Sequence, residues 1–198
     1  SLCYQLPAMI LDGTAIVVSP LIALMKNQVD LIRTNNTKDS IAHVLNSSLT
    51  KNQIEEVKSD ITNGKTKIVF IAPETLTKKE TIAFLSKSSI SFLAIDEAHC
   101  ISEWGHDFRP SYARLKERQE ALPHVDGSRP SIIALTATAS QKVQEVLLEQ
   151  LKMNDKEDLI HKIIDRKELS LEVLPMRLDV ENNQYHIEYR DPDNNNGF

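Results

Sequence analysis

The sequence predicts a doubly wound α/β fold built on a mostly parallel sheet, and two observations lead to this prediction. The first is a set of short apolar runs rich in β-branched residues, which are typical of strands buried on both faces. These runs are 15–19, 67–72, 91–96 and 132–137. The second is that segments with apolar residues at helical spacing alternate with the runs. These segments are 21–32, 49–61, 81–87, 112–122 and 141–151.

Each predicted strand leads directly into a cluster of polar residues or prolines. The clusters are Ser19-Pro20, Pro73-Glu74, Asp96-Glu97 and Thr136-Ala137-Thr138. Open α/β sheets bind their ligands in a crevice at the carboxyl ends of the strands. We therefore expect these four strand ends to line one crevice.

The composition fits an ordinary globular domain. The 198 residues are 41% hydrophobic and 26% charged, and no apolar run approaches the roughly 18 residues needed to span a bilayer. We expect a cytoplasmic protein without a membrane partner. The formal net charge of −5 argues against binding nucleic acid through a bulk positive field, so any such contact is expected to be local. Cys3 and Cys100 are the two cysteines, and we predict that both are free thiols.

The pattern changes after residue 151. Residues 168–174 and 184–189 alternate like strands, whereas the last eight residues are polar and rich in asparagine. We expect these last eight residues to be disordered. Residues 176–198 carry no functional signal and are interpreted as a peripheral hairpin or connecting chain.

The pair Asp96-Glu97 carries the clearest chemical signal. An aspartate that follows a buried strand can hold Mg²⁺ through its water shell, and the adjacent glutamate can polarise a water for attack on a γ-phosphate. The structural alternative is an acidic pair that ends the strand or caps the next helix. The full Asp-Glu-Ala-His string after an apolar strand favours the catalytic interpretation.

Residues 96–112, DEAHCISEWGHDFRPSY, resemble motif II and the aromatic-rich loop of RecQ-family helicases. Four further segments resemble the sequence after the phosphate-loop Gly-Lys and motifs Ia, Ib and III, in the family's order. They are SLCYQLPA (1–8), VVSPLIALMKNQV (17–29), IAPETL (71–76) and LTATAS (135–140). The resemblance implies a RecA-like P-loop NTPase domain over 1–151, the first motor lobe of an ATP-dependent DNA helicase. It also implies an exit strand or connection over 152–175, and it leaves 176–198 unassigned.

The resemblance implies a site for ATP and Mg²⁺. Glu97 and Asp96 would be catalytic, and Ser1, Asp96 and His99 would contact the nucleotide. Ser1 and Asp96 would hold the Mg²⁺. Ser1 corresponds to the last residue of the family's Gly-Lys-Ser, and the Gly-Lys is not in this chain. Taken without the resemblance, Ser1 is an ordinary serine.

The resemblance also implies contacts with single-stranded and duplex DNA. Trp104, His106, Phe108 and Arg109 would stack on unpaired bases and contact phosphates. In the family this loop links DNA binding to ATP hydrolysis. The alternative is that the aromatic residues anchor a long loop by packing and that Arg109 is part of an ion pair.

Two further motifs complete the implied DNA-binding and coupling residues. Ser19 and Lys26 of motif Ia would contact the DNA backbone, and the alternative is that Ser19-Pro20 starts a helix. Thr136 and Thr138 of motif III would bond the Asp96 and Glu97 carboxylates and couple nucleotide state to DNA. Their alternative role is to cap the helix that begins near residue 141.

The family acts through a second RecA-like lobe, so we expect that lobe as a partner in the parent protein. The parent is expected to be a chromosome-associated 3′-to-5′ helicase in DNA repair and recombination. The 198 residues alone are expected not to unwind DNA and to hydrolyse ATP poorly. Two alternatives remain open: a DEAH-type RNA helicase or DNA-remodelling ATPase, and a degenerate RecA-like module that binds nucleic acid or protein without turnover.

Overall fold

The computed structural model describes residues 1–36, 38–102, 109–113, 115, 122, 129–153, 176–179 and 184–187. The chain divides into two compact units, Ser1–Leu159 and Ile160–Phe198. The first unit contains the sheet and helices on which the sequence analysis concentrates.

The first unit is organised by a five-stranded sheet in which every neighbouring pair is parallel. The strand order is β2-β3-β1-β4-β5. The strands are β1 (Thr14–Val18), β2 (Ala42–Leu45), β3 (Ile68–Ile71), β4 (Ile90–Ile95) and β5 (Ser131–Ala134). This sheet confirms the predicted α/β fold class and the four predicted strands.

One strand was missed by the sequence analysis. The edge strand β2 has only four residues, and the imidazole of His43 interrupts its apolar pattern. It nevertheless pairs with β3 over its whole length, from Ala42 opposite Ile68 to Leu45 opposite Ile71. The hydrogen-bond partners that β3 offers therefore decide its conformation, which local hydrophobicity does not indicate.

Helices occupy the segments between the strands. They are α1 (Leu2–Ile10), α2 (Ile22–Thr34), α3 (Lys51–Thr62), α4 (Pro73–Leu76), α5 (Lys79–Leu85), α6 (Pro110–Ala113) and α7 (Gln141–Leu151). Local sequence explains two of their beginnings. The Thr50 hydroxyl and the Gln53 side chain form a capping box at α3, and the Ser140 hydroxyl accepts from the Val143 amide at α7.

Helix α1 was not predicted, because Pro7 stands inside it and proline removes a helical hydrogen bond. Burial of one face outweighs that loss. Tyr4 is 2% exposed and packs its ring edge-on against Phe70 at 6.1 Å, and Ala8 is fully buried. Tertiary packing of this face therefore supports a helix that local propensity does not predict.

The three central strands β3, β1 and β4 are buried on both faces of the sheet. On β1, Ile16 and Val18 belong to one apolar cluster, whereas Ala15 and Val17 belong to the other. The first cluster is completed by residues of α3, α5 and α7, and the second by residues of α1 and α2. This two-sided burial explains why the strands read as continuous apolar runs.

In the second unit, β6 (Met176–Asp179) and β7 (Gln184–Ile187) pair in antiparallel register, with Met176 opposite Ile187. The last eight residues, for which disorder was predicted, lie outside the described residues. Both cysteines are thiols outside any disulfide, as predicted; Cys3 is exposed and Cys100 is buried. Within the described part of the chain, no helix is long and apolar enough to cross a membrane.

A buried polar network joins α2, β2 and α3. The Nε2 of His43 lies 3.0 Å from Asp60 Oδ2, and its Nδ1 lies 3.0 Å from Arg33 Nη2. Because Arg33 is a donor, Nδ1 accepts and Nε2 carries the proton. Lys65 Nζ donates to Asp60 Oδ1 at 3.1 Å. His43 is thus neutral in the fold, and both sides of its ring are hydrogen-bonded.

This network makes the fold less stable in acid. Burial lowers the pKa of His43. The hydrogen bond to Asp60 acts in the opposite direction, and the positive charge of Arg33 lowers the pKa further. Burial alone would raise the pKa of Asp60, but hydrogen bonds from Lys65 and His43 outweigh it and lower that pKa. In both cases the unfolded chain binds protons more readily. Stability is therefore lost as the pH falls below about 6.5 for His43 and below about 4 for Asp60.

Replacing Asp60 by alanine is expected to destabilise the fold by about 1–3 kcal/mol, because the buried His43 N–H loses its acceptor. The measurement is urea unfolding at pH 7.5 and pH 5.5. The matched control is Asp12→Ala, since Asp12 is exposed. Equal stability of the two variants would contradict a stabilising role for the network.

Candidate functional site

The carboxyl ends of four neighbouring strands lie along one edge of the sheet. Backbone bonds extend the sheet past the strand ends. The Asp96 amide donates to Val18 O at 2.8 Å, and the Leu135 amide donates to Ile95 O at 2.8 Å. The Ser19 amide donates to Ile71 O at 3.3 Å. The residues that follow β1, β4 and β5 therefore start from adjacent positions.

Glu97 has a backbone conformation that the sequence does not indicate. Its φ of 49° and ψ of 48° lie in the left-handed region, which costs a residue with a side chain about 1–2 kcal/mol. The Glu97 amide donates to Asp96 Oδ1 at 3.2 Å, and the Ala98 amide donates to Leu135 O at 2.8 Å. These bonds accompany a sharp turn of the chain after Asp96. Strained residues of this kind occur preferentially at functional sites.

The Asp96 carboxylate is partly buried next to another negative charge. Burial raises its pKa, and the Glu97 carboxylate raises it further; the Glu97 amide and the amino group of Ser1 oppose this. The amino group of Ser1 is thus close enough to Asp96 to affect its pKa. Tyr4 is also nearby, because its pKa is raised by burial first and then by Asp96. A cation would relieve the crowding of negative charge here.

The residues at this point suit Mg²⁺ rather than a metal held by protein side chains alone. In the described part of the chain, no cluster of three or more His, Cys, Asp and Glu side chains could hold a metal ion. Mg²⁺ typically uses one or two carboxylates and completes its shell with water and phosphate oxygens. A partly buried aspartate meets that requirement.

His99 connects the Asp96–Glu97 segment to the loop after β5. It is 6% exposed, and its Nδ1 lies 3.0 Å from Thr136 Oγ1 and 3.4 Å from Glu97 Oε2. The Thr138 amide in turn donates to Thr136 Oγ1 at 3.3 Å. The sequence analysis expected the threonine hydroxyls to bond the carboxylates, but the partner of Thr136 here is the histidine.

The alternative role for these threonines, capping the next helix, is not what the structure shows. The N-cap of α7 is Ser140, whose hydroxyl accepts from Val143. Thr136 instead fixes the loop that contains Thr138 and holds His99 in place. The two predicted motif III residues therefore stand beside the Asp96–Glu97 segment.

The end of the aromatic-rich loop contacts both Asp96 and the segment after β1. The Tyr112 hydroxyl donates to the backbone carbonyl of Asp96 at 3.2 Å, and Arg109 Nη1 donates to Pro20 O at 3.4 Å. The Arg109 amide also donates to Cys100 O at 2.9 Å. Trp104, His106 and Phe108, which the sequence analysis assigned to DNA, lie outside the described residues.

Two tyrosines near Asp96 were not singled out from the sequence. Tyr112 is 1% exposed, and burial raises its pKa strongly. Tyr4 lies in α1, three residues after Ser1, and its amide donates to Ser1 O at 3.1 Å. A tyrosine in an apolar context is usually a core residue, so only the position of its hydroxyl reveals a contact with a site.

The segment after β1 places its predicted residues differently. Ser19 is 1% exposed, and its Oγ has no hydrogen-bond partner among the described residues. It does not start the helix, because the N-cap of α2 is Leu21. Lys26 is exposed on α2. Met25 on α2 is fully buried, whereas Leu21, just before that helix, is 49% exposed.

Comparison with known proteins gives a consistent family signal. Residues 1–146 match the protein-family model of DEAD/DEAH box helicases. The chain is 42% identical over 164 residues to "ATP-dependent DNA helicase RecQ" of Haemophilus influenzae, covering 83% of this chain and 25% of that protein. It is 41% identical over 174 residues to the Bacillus subtilis protein of the same name, covering 88% of this chain and 28% of that protein. The chain thus spans about a quarter of the length of these relatives.

The solved structures support the fold. The helicase domain of Pyrococcus furiosus Hef superposes with a TM-score of 0.55 at 17% sequence identity. The match covers 76% of this chain and 31% of that one. At this level of identity the likeness concerns the arrangement of strands and helices alone.

Proposed function

We propose, because this chain belongs to the DEAD/DEAH box helicase family and within it to the RecQ helicases, that it forms the ATP-hydrolysing lobe of a DNA helicase. The observation that carries this proposal is the turn after β4. It places two adjacent carboxylates at the carboxyl edge of the sheet, with Glu97 in a strained left-handed conformation. Because of this turn, the carboxylates of Asp96 and Glu97 would have different roles.

Asp96 and Ser1 are the residues that would hold Mg²⁺. When bound, Mg²⁺ would neutralise phosphate charge. The raised pKa of Asp96, due to burial and then to Glu97, indicates that the carboxylate lacks sufficient compensating positive charge in the protein itself. His99 is assigned to the nucleotide site as well, since it is buried between Glu97 and Thr136.

Glu97 would act on the attacking water. Its carboxylate accepts a proton from the water as the water oxygen attacks the γ-phosphorus, and the bond to the β-phosphate oxygen breaks to release ADP and phosphate. The backbone bonds around Glu97 hold its main chain, and His99 Nδ1 lies 3.4 Å from its Oε2, before the nucleotide binds. Such preorganisation reduces the reorganisation needed in the transition state.

The proposed DNA contacts extend from this point. Arg109, which donates to the backbone carbonyl of Pro20, would contact DNA and link that contact to the segment after β1. Trp104, His106 and Phe108 would contact bases and phosphates. Lys26, exposed on α2, would contact a backbone phosphate, and Ser19 would belong to the same segment. Thr136 and Thr138 would couple the two sites through His99.

The whole protein is proposed to be a chromosome-associated 3′-to-5′ helicase that acts in DNA repair and recombination. A second RecA-like lobe of the parent would complete the site by supplying an arginine to the γ-phosphate. In P-loop enzymes such an arginine contributes about 10³–10⁵ in rate. The 198 residues alone are therefore proposed to hydrolyse ATP slowly and not to unwind duplexes.

The test is ATP hydrolysis by the full-length parent protein, with single-stranded DNA or with RNA of the same sequence. Stimulation by DNA at least tenfold greater than by RNA is expected. Greater stimulation by RNA would instead identify an RNA helicase. An absence of turnover despite tight DNA binding would show that the lobe is a binding module.

A further inference from the structure

One row of residues continues the sheet at its carboxyl edge, directly after the strands. The row consists of Ala72, Ser19, Asp96 and Leu135. Each of their amides donates to the carbonyl of the last residue of the preceding strand in the sheet order, at 2.8 to 3.3 Å. The strand register pairs Val18 with Ile71 on one side and with Ile95 on the other. Ser19 therefore lies directly beside Asp96.

The side chains of this row belong to the face of the sheet that α1 and α2 cover. The preceding row, which contains Val18 and Ile95, lies in the other apolar cluster, and side chains alternate between the two faces. Ala72 accordingly belongs to the cluster on the α1 and α2 face, and Leu135 packs against it. Tyr4 of the same cluster supports this placement, because burial and then Asp96 raise its pKa. The Ser19 hydroxyl and the Asp96 carboxylate are thus neighbours on one face.

The Ser19 hydroxyl is buried without a hydrogen-bond partner. Ser19 is 1% exposed, and its Oγ bonds no polar atom of the described residues, the Asp96 carboxylate included. A buried hydroxyl is unfavourable when it is left unpaired, so such a group usually marks the position of a missing partner. Two neighbouring polar groups that do not bond each other directly can be joined through a water.

The burial of Ser19 favours a partner at the nucleotide site over a partner in DNA. A backbone phosphate is bulky and would have to reach a hydroxyl that is 1% exposed, whereas Lys26 of the same segment is exposed. The neighbouring Asp96 is the residue proposed to hold Mg²⁺. This ion keeps several of its waters when it is bound by one or two carboxylates. A metal-bound water has two protons to donate, one for each of the two neighbouring groups.

We propose that Ser19 is a positioning residue of the nucleotide site, whose hydroxyl accepts from a water of the Mg²⁺ shell that also donates to the Asp96 carboxylate. This inference rests on the proposed function of Asp96. Such outer partners orient the groups around a metal and strengthen its binding. Ser19 thereby acts on the ATP side of the lobe, and Lys26 is the residue of this segment that faces DNA.

The test measures the affinity of the full-length protein for Mn²⁺ in the presence of ADP, from the electron paramagnetic resonance signal of free Mn²⁺. This ion prefers the same oxygen ligands as Mg²⁺. Ser19→Ala is expected to weaken Mn²⁺ binding about tenfold, the effect typical of removing an outer partner of a metal site. Its Tm without metal and nucleotide should not fall, because the change removes a buried hydroxyl that has no partner in the protein.

The matched control is Ser91→Ala. Ser91 is 4% exposed, and its Oγ likewise has no hydrogen-bond partner in the part of the chain that the structure describes. It lies near the start of β4, whereas Asp96 follows the end of that strand. Ser91→Ala should bind Mn²⁺ as the natural protein does. The affinity for a labelled single-stranded oligodeoxynucleotide, measured by fluorescence anisotropy, should be unchanged in both serine variants.

Asp96→Asn, measured in parallel, separates this inference from the proposed function. Unchanged Mn²⁺ affinity in Asp96→Asn would show that the proposed metal site itself is wrong. Weaker Mn²⁺ binding by Asp96→Asn but not by Ser19→Ala would overturn the role of Ser19 alone. Weaker DNA binding by Ser19→Ala with unchanged Mn²⁺ affinity would identify Ser19 as a DNA contact instead. Equal weakening of Mn²⁺ binding by Ser91→Ala would also overturn the inference, because the effect would then not depend on position.

Discussion

Glu97→Gln is expected to lower ATP turnover by the full-length protein about 10²–10⁴-fold, because glutamine cannot accept the proton of the attacking water. The change preserves size and the left-handed backbone, so ATP binding should remain within about twofold of the natural value. The measurement is steady-state phosphate release with saturating single-stranded DNA. A parallel titration with a fluorescent ATP analogue measures nucleotide affinity.

The matched control for Glu97 is Glu55→Gln on α3. The Glu55 carboxylate is 72% exposed and contacts only Lys58 among the described residues. Its replacement should leave turnover unchanged. If Glu97→Gln retained more than a tenth of the natural turnover, another group would have to be the base, and the proposed role of Glu97 would be wrong.

Asp96→Asn is expected to have opposite effects on activity and stability. Burial and the Glu97 carboxylate raise the pKa of Asp96, so its ionised form is disfavoured in the folded state. The folded state therefore binds this proton more readily than the unfolded chain does. The contribution of Asp96 to stability is present at low pH and is lost as the pH rises through the raised pKa. Asparagine is neutral at every pH, and its Oδ1 can still accept from the Glu97 amide. At pH 7.5 without Mg²⁺, the Tm of the variant should equal or exceed the natural Tm.

The same variant should lose ATP turnover by at least about 100-fold, because the carboxylate proposed to hold Mg²⁺ is gone. Thermal unfolding with and without Mg²⁺ and a non-hydrolysable ATP analogue separates the two effects. The natural Tm should rise with ligand, and that of the variant should rise less. Asp12→Asn, an exposed change of the same kind, is the control. A lower Tm of Asp96→Asn without ligand would contradict the argument from burial.

Much of the fold follows from local patterns in the sequence. Strands buried on both faces require runs of apolar residues, and the runs that contain Ile16, Val69 and Leu93 are therefore visible without coordinates. The motif strings also determined the family, because their residue types and order are specific. The RecQ relatives confirm that resemblance.

Other elements depend on contacts between residues distant in sequence. Strand β2 exists because β3 offers it a parallel partner, and α1 tolerates Pro7 because Tyr4 and Ala8 are buried against the sheet. Neither stabilising contribution is encoded in the neighbouring residues. Short elements have too few local interactions to reveal themselves.

The candidate site likewise combines features visible in the sequence with features that depend on tertiary contacts. The sequence by itself predicts which side chains would hold Mg²⁺ and activate water, since Asp96 and Glu97 are recognised by their type and by the strand before them. Only the tertiary structure decided that Thr136 bonds His99, that Tyr112 contacts the Asp96 carbonyl and that Glu97 is left-handed. These features arise where separate strands and loops meet. Their geometry depends on hydrogen bonds between elements, and residue type alone does not specify those bonds.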